Sequence, residues 1–466
     1  MTQPQGSIPQ GLISRDVLAQ MDGIHSSRTS LMPANSGGGD FTYTPNGNSR
    51  VIFQIPSYAN SYISTRRSYI AMTLTTTGTN ASGMTIADGA PVFRRMLLKN
   101  GRGQVLEDID SYDVLCRIKQ NMKTKSDIQS RASTSKDNRV MKTDQLTPDV
   151  TEYQLGKTVI HNLESGLLSK EQKFLIPVSQ MSASAGHCFQ LELWLNDANL
   201  LFPLNRTANT NSSYKLTDVS YELELVECDA SIMQVVNGAL ANGASIPLPF
   251  KSYRAHSSTI SSGNKAVVNI SDSSHDVSAI FSVLRLQNAG TNVKKPSSTD
   301  APGNILDTRY GTDFDPYSFI GGKNLISLGN VLPVFTHAVE RYNYKYGSKL
   351  YPLQPVFMPN DSTLALENIL SGFELEGKLP YLSESIIVKS NKSIPRFETD
   401  CFMLSTNFKT TNDSLANGVN SSANGSPIQL DLMFKGNVSP LECLSFIEHN
   451  SVLYISTGGS SSVIKN

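Results

Sequence analysis

The chain has 466 residues, 39% of them hydrophobic and only 17% charged, enough for two domains of roughly 200 residues whose surface is mostly Ser, Thr, Asn and Gln. Forty basic residues balance forty acidic ones, so the basic excess of free nucleic-acid binders is missing and association is favoured over mutual repulsion. Low net charge also argues against disorder, and no apolar run reaches the roughly 18 residues that a membrane-spanning helix needs.

Residues 1–40 read as an N-terminal arm. Residues 14–21 suit one or two helical turns, but Ser36-Gly37-Gly38-Gly39 opposes a packed element. The start also lacks a basic stretch followed by an apolar one, so synthesis in the cytosol without secretion is expected. A first domain is expected at 41–236. Apolar and polar residues alternate at 50–55 and 70–75, and segments 90–98 and 103–109 flank the hairpin signal Asn100-Gly101. A helix is predicted over 111–122, capped by Asp110 or Ser111, with Asp113 near its positive end and Val114, Leu115, Ile118 and Met122 in one stripe. A polar loop is expected at 123–149. Strands follow at 173–178, 189–196 and 214–228. In the middle one, Phe189, Leu191, Leu193 and Leu195 share a face opposite Gln190, Glu192 and Trp194. One polar face per strand is the mark of antiparallel sandwiches.

Residues 237–246 are small and rich in Gly, Ala and Asn, and read as a linker. The second domain, 247–458, opens with strands at 247–256, 266–270 and 277–286. After an irregular stretch at 287–322, strand, turn and helix are expected over 324–346, with the helix at 337–346. Strands are expected at 366–376, 385–389, 402–406, 428–434 and 452–456, ahead of a Gly/Ser tail at 459–466. The two halves thus repeat one plan: 95–98, 105–106 and 111–122 are matched with 324–328, 331–332 and 337–346. Likewise 174–178 and 189–195 are matched with 402–406 and 428–434. Loops at 123–149, 287–322, 347–363 and 409–427 exceed ordinary connections, as expected where loops form an outer face.

Catalytic signatures are missing. The seven histidines form no H-x-H or H-E-x-x-H, and the five cysteines no C-x-x-C, so no metal site is expected and the tandem-barrel metalloenzymes of the cupin type are disfavoured. No G-x-S-x-G occurs. Gly321-Gly322-Lys323 lacks the rest of a P-loop and reads as a turn, while Asp313 and Asp315 lack the remaining spacing of a calcium loop. The cysteines read as small buried hydrophobes. Between 117 and 142 eight basic residues face two acids, without interleaved aromatics. That stretch is a solvated loop, a subunit contact, or an inward patch near nucleic acid or anionic lipid. Trp194 is a second-face core residue or an intersubunit anchor. Trp194, Arg117, Lys119, Lys123 and Lys125 are therefore the candidate assembly residues. No catalytic, cofactor or metal residue is expected.

The run FRRMLLKNGRGQVLEDID at 93–110, followed directly by SYDVLCRIKQ, resembles the first barrel of the double jelly-roll major capsid proteins of tailless icosahedral double-stranded DNA viruses, those of polinton-like viruses and virophages in particular. The strand FQLELWLND and its second-half counterpart IQLDLMFKG support it. The resemblance implies an all-β fold of two tandem eight-stranded antiparallel jelly rolls. It further implies a homotrimer with a pseudo-hexameric outline that tiles a shell, located in the virion. The implied partners are further copies, neighbouring capsomers and minor or penton capsid proteins. An inner membrane or the genome is left open as a partner; no small-molecule substrate and no cofactor is implied. A two-domain spike or host-recognition protein of a virion is the alternative reading.

Overall fold

The computed structural model describes residues 24–36, 40–42, 49–77, 92–135, 156–181, 186–201, 213–286, 319, 323–326, 334–337, 339–358, 362–375, 377–388, 392–398, 401–409, 418–422, 427–438, 440–456 and 461–465. The first half contains β1 (Ile24–Leu31), β2 (Phe41–Thr42), β3 (Arg50–Ile55), β4 (Ser61–Thr77), β5 (Phe93–Asn100), β6 (Val105–Ile109), α1 (Tyr112–Met122) and α2 (Lys125–Ser135). It continues with β7 (Lys157–His161), β8 (Phe189–Leu195), α3 (Ala198–Leu201), β9 (Ser213–Cys228) and α4 (Ala230–Ala241). These strands make two antiparallel sheets, ordered β1-β9-β4-β7 and β3-β8-β5-β6, with β2 also on β9.

The second half contains β10 (Ile246–Ile260), β11 (Gly263–Ile270), β12 (Val277–Leu286), β13 (Lys323–Ile326), β14 (Val334–His337), β15 (Val339–Tyr346), β16 (Lys349–Phe357) and α5 (Thr363–Gly372). After it come β17 (Ser385–Val388), β18 (Lys392–Pro395), β19 (Leu404–Asn407), β20 (Ile428–Val438), β21 (Leu441–Ile455) and β22 (Ser461–Lys465). Its sheets run β10-β21-β12-β19, with β22 on β21, and β11-β20-β15-β16. Position by position the two halves have one strand order, so the chain is two jelly rolls in tandem. The pairs β13–β14 and β17–β18 are separate hairpins.

Alternation explains the sandwich. Phe53, Leu191, Leu193, Met96 and Leu98 from one sheet, and Ile70, Met72, Leu74, Tyr221 and Leu223 from the other, are all buried. In the second roll Phe281 stacks on Phe446 at 5.6 Å and meets Phe373 edge-on at 5.5 Å. One apolar cluster runs through both rolls, so the seam between them is part of the core.

Several expectations need correction. The stretch assigned to an arm contains β1, which pairs with β9 along its whole length. Polar Ser26, Ser27 and Ser30 suit that edge because they donate to Glu224, Glu227 and Glu222 on β9. The loop predicted after α1 opens as helix α2, and the linker at 237–246 is largely the end of α4 and the start of β10. The helix expected at 337–346 is strand β15; the counterpart of α1 is α5, which occupies part of the strand expected at 366–376. The loop expected at 347–363 holds β16, and the tail at 459–466 holds β22. Segment 173–178 is no strand: Ile176 makes an isolated bridge to Ile63. Residues 14–21, Asp313, Asp315 and Gly321-Gly322 lie outside the described residues.

The hairpin turn at 100 works through both ends. Asn100 Oδ1 accepts the N–H groups of Arg102 and Gln104 at 3.0 and 2.9 Å, and Gly103 (φ 82°) takes the left-handed residue. Helix α1 begins at Ser111, itself left-handed (φ 49°), without the side-chain cap that the sequence suggested.

Candidate assembly surfaces and the seam between the rolls

Helix α1 is where the first roll meets the second. Its sequence defines one apolar stripe, yet Asp113, Arg117 and Asn121 are buried beside Val114, Leu115 and Ile118. The helix is covered twice. It packs on β5 of its own roll, and Lys119 Nζ lies 4.5 Å over the Tyr253 ring of β10 in the second. Just past its end Thr124 bridges to Pro380, and the Tyr381 N–H donates to the Lys123 carbonyl at 2.8 Å.

Beside the helix, the loop at 163–170 is wedged between the rolls. Glu107 on β6 is fully buried and accepts the N–H groups of Gly166 at 2.7 Å and Leu167 at 3.3 Å. Gly166 itself lies against the backbone of β10: a Cβ there would sit 1.9 Å from the Lys251 carbonyl oxygen and 2.5 Å from Glu107 Oε1. Burial pushes the Glu107 carboxyl up to about 7, against the hydrogen bonds from Leu167, Ser165 and Gly166 and the nearby Lys119.

Charges along the seam are otherwise matched. Glu164 pairs with Lys123 and, at 3.8 Å, with Lys119. Burial alone would raise the Glu164 carboxyl; Lys123 and Lys119 outweigh it and hold the group low. The Tyr112 hydroxyl accepts the Glu164 N–H at 2.8 Å and lies 3.1 Å from His161 Nε2, where the imidazole tautomer sets which group donates. Burial pushes His161 down to about 4. On the second roll's side of the seam, Glu448 accepts from the Tyr253 hydroxyl at 3.1 Å and Ser278 at 3.0 Å, and pairs with Lys251 at 3.0 Å, all within one sheet. A cavity of about 410 Å³ follows this boundary, lined by Glu107, Asp108, Tyr253, Arg254 and His449 among others. Among the described residues no cluster of His, Cys, Asp or Glu is placed to hold a metal ion.

The five candidate residues separate into two groups. Arg117 is fully buried on α1, Lys119 lies under Tyr253, Lys123 pairs with Glu164, and Lys125 reaches Glu384 of the second roll at 3.6 Å. Lys119, Lys123 and Lys125 thus each have a partner within the chain, and Arg117 is buried in it. Lys136, Arg139 and Lys142 of the same basic stretch lie outside the described residues. Trp194 is different: it is half-buried on the outer face of β8, flanked by the guanidinium groups of Arg95 at 5.0 Å and Arg50 at 5.8 Å. Sequence reasoning missed Glu107, Gly166 and Glu448. Each lies in an ordinary alternating or polar segment, and each acquires its role from a partner far away in the chain.

No protein-family model and no curated protein matches the chain by sequence. Solved structures match by shape. A chain of the PBCV-1 virus capsid is similar over 96% of this chain and 98% of its own, with 11% identity and a TM-score of 0.59. The Faustovirus major capsid protein is similar over 94% and 91%, again with 11% identity and a TM-score of 0.55. At such identity the likeness is one of fold, and it extends through both rolls.

Proposed function

We propose that this chain is the major capsid protein of an icosahedral double-stranded DNA virus, acting as a homotrimer whose six jelly rolls give a pseudo-hexameric tile. The observation that carries this reading is the pairing of two rolls with one strand order, joined through one continuous core. A trimer of such chains has six similar lobes, the shape that closes a flat facet without gaps. A spike or host-recognition protein would leave the second roll without a reason to copy the first.

On this reading the chain works by shape and repeated weak contacts and performs no catalysis. It is made in the host cytosol and resides in the virion. Its first partner is itself, followed by neighbouring capsomers and minor or penton proteins, with an inner membrane or the genome beneath. Light scattering behind a sizing column tests the first step. The expected species has three times the 50.8 kDa chain mass. A monomer persisting at high concentration would contradict the reading.

A further inference from the structure

A second cavity, of about 280 Å³, opens where the end of α1, helix α2, strand β7 and the loop after it meet. Its lining combines the apolar Cys116, Ile128, Ile160 and Leu163 with three cations, Lys123, Arg131 and Lys170.

The acids of the same cavity are engaged elsewhere or lie in water. Glu164 divides one negative charge between Lys123 and Lys119. Asp127 turns back to the start of α2, where its carboxylate accepts the Thr124 hydroxyl at 2.7 Å and its N–H donates to the Thr124 oxygen at 3.2 Å. Glu171 is exposed. Among the described residues Lys170 forms no ion pair; its Nζ lies 5.8 Å from the centre of the Tyr69 ring, which Arg28 shares at 5.6 Å. An aromatic face attracts a cation without cancelling its charge. Burial, Arg131 and Lys123 together bring the Lys170 ammonium down to about 8, against the pull of Glu164. Like charges thus surround a partly enclosed space, where water screens them poorly and an entering anion is favoured.

Helix α2 is lightly anchored beside this space. It has eleven residues, and an isolated helix of that length is marginal in water. Among its described side chains Ile128 is the buried one. A ligand held between Arg131 on one side and Lys123 and Lys170 on the other would give the helix a second anchor.

We propose that this cavity binds a phosphate dianion, free or as a monoester, which ties α2 to the loop wedged between the rolls. A dianion brings two charges and several acceptors to one guanidinium fork and two ammonium groups, where a carboxylate or a phosphodiester brings a single charge.

Trace acetylation of the full-length protein at about pH 8, read by mass spectrometry of the Lys170 peptide, follows occupancy directly. Lys170 is expected to label faster than ordinary lysines, which are almost wholly protonated there. Inorganic phosphate at constant ionic strength is expected to protect it and to slow amide exchange across α2. Protection by glycerol phosphate as well would assign the monoester, and protection by inorganic phosphate alone the free anion. Dimethyl phosphate, a singly charged diester, is expected to protect about tenfold more weakly. Arg131→Gln, at an exposed position, is expected to weaken phosphate protection about tenfold while leaving the unfolding midpoint in chloride unchanged. Lys349→Met, exposed on β16, is expected to change neither. Equal labelling of Lys170 in phosphate and chloride, or full protection in Arg131→Gln, would overturn the site. Equal protection by dimethyl phosphate would overturn the choice of a dianion.

Discussion

Gly166→Ala is expected to cost about 3 kcal/mol of stability, because the added methyl meets backbone that cannot give way without opening the seam. The Cβ would lie 1.9 Å from the Lys251 carbonyl oxygen of β10 and 2.5 Å from the carboxylate that holds this loop. Gly238→Ala in α4, where a Cβ meets nothing within 4 Å, provides the contrast and is expected to be neutral or stabilising by about 0.5–1 kcal/mol. Urea unfolding followed by circular dichroism measures both. Equal midpoints for Gly166→Ala and wild type would show that the rolls are not locked at this point.

Glu107→Gln is expected to expose an acid-side loss of stability that the wild-type carboxyl offsets. The buried carboxyl is held at about 7, above its unfolded value, so the folded chain binds the extra proton. Its contribution is complete below about pH 4.5 and is lost as pH rises through 7. His161 acts oppositely: held at about 4, it contributes above pH 6.5 and its contribution is lost as pH falls through 4. Each shift corresponds to about 3 kcal/mol, and the two slopes oppose each other between roughly pH 4.5 and 6.5. In wild type these two contributions therefore nearly cancel across that window. The variant retains only the histidine slope and is expected to lose about 3 kcal/mol between pH 6.5 and 4 relative to wild type. Parallel stability curves for the two proteins across this range would contradict the assignment.

The sandwich was legible where strands alternate without interruption. Strand β8 reads Phe-Gln-Leu-Glu-Leu-Trp-Leu, and its leucines are buried as the pattern predicts. The sequence of strand β15 suggests a helix because a bulge between Val339 and Arg341 breaks its phase, leaving buried Val339 out of step with Tyr342 and Tyr344. Helix α5 is a short apolar run, which periodicity alone does not separate from a buried strand. Strand β1 carries no apolar alternation; side-chain hydrogen bonds from its serines to glutamates of β9 hold it. The seam was the least legible part, since Glu107 and Gly166 are 59 residues apart and Tyr253 and Glu448 are 195 apart. The intrachain partner of Lys119 and Lys123 was equally illegible, because sequence shows their charge and not that Glu164, 41 residues beyond Lys123, faces them.

The central claim is that two similar rolls in each chain build one six-lobed tile. Electron-microscope class averages of the purified oligomer test it most directly. The expected image is a closed ring of six similar lobes from three chains. A trimer showing three compact lobes, or an open string of chains, would contradict the account.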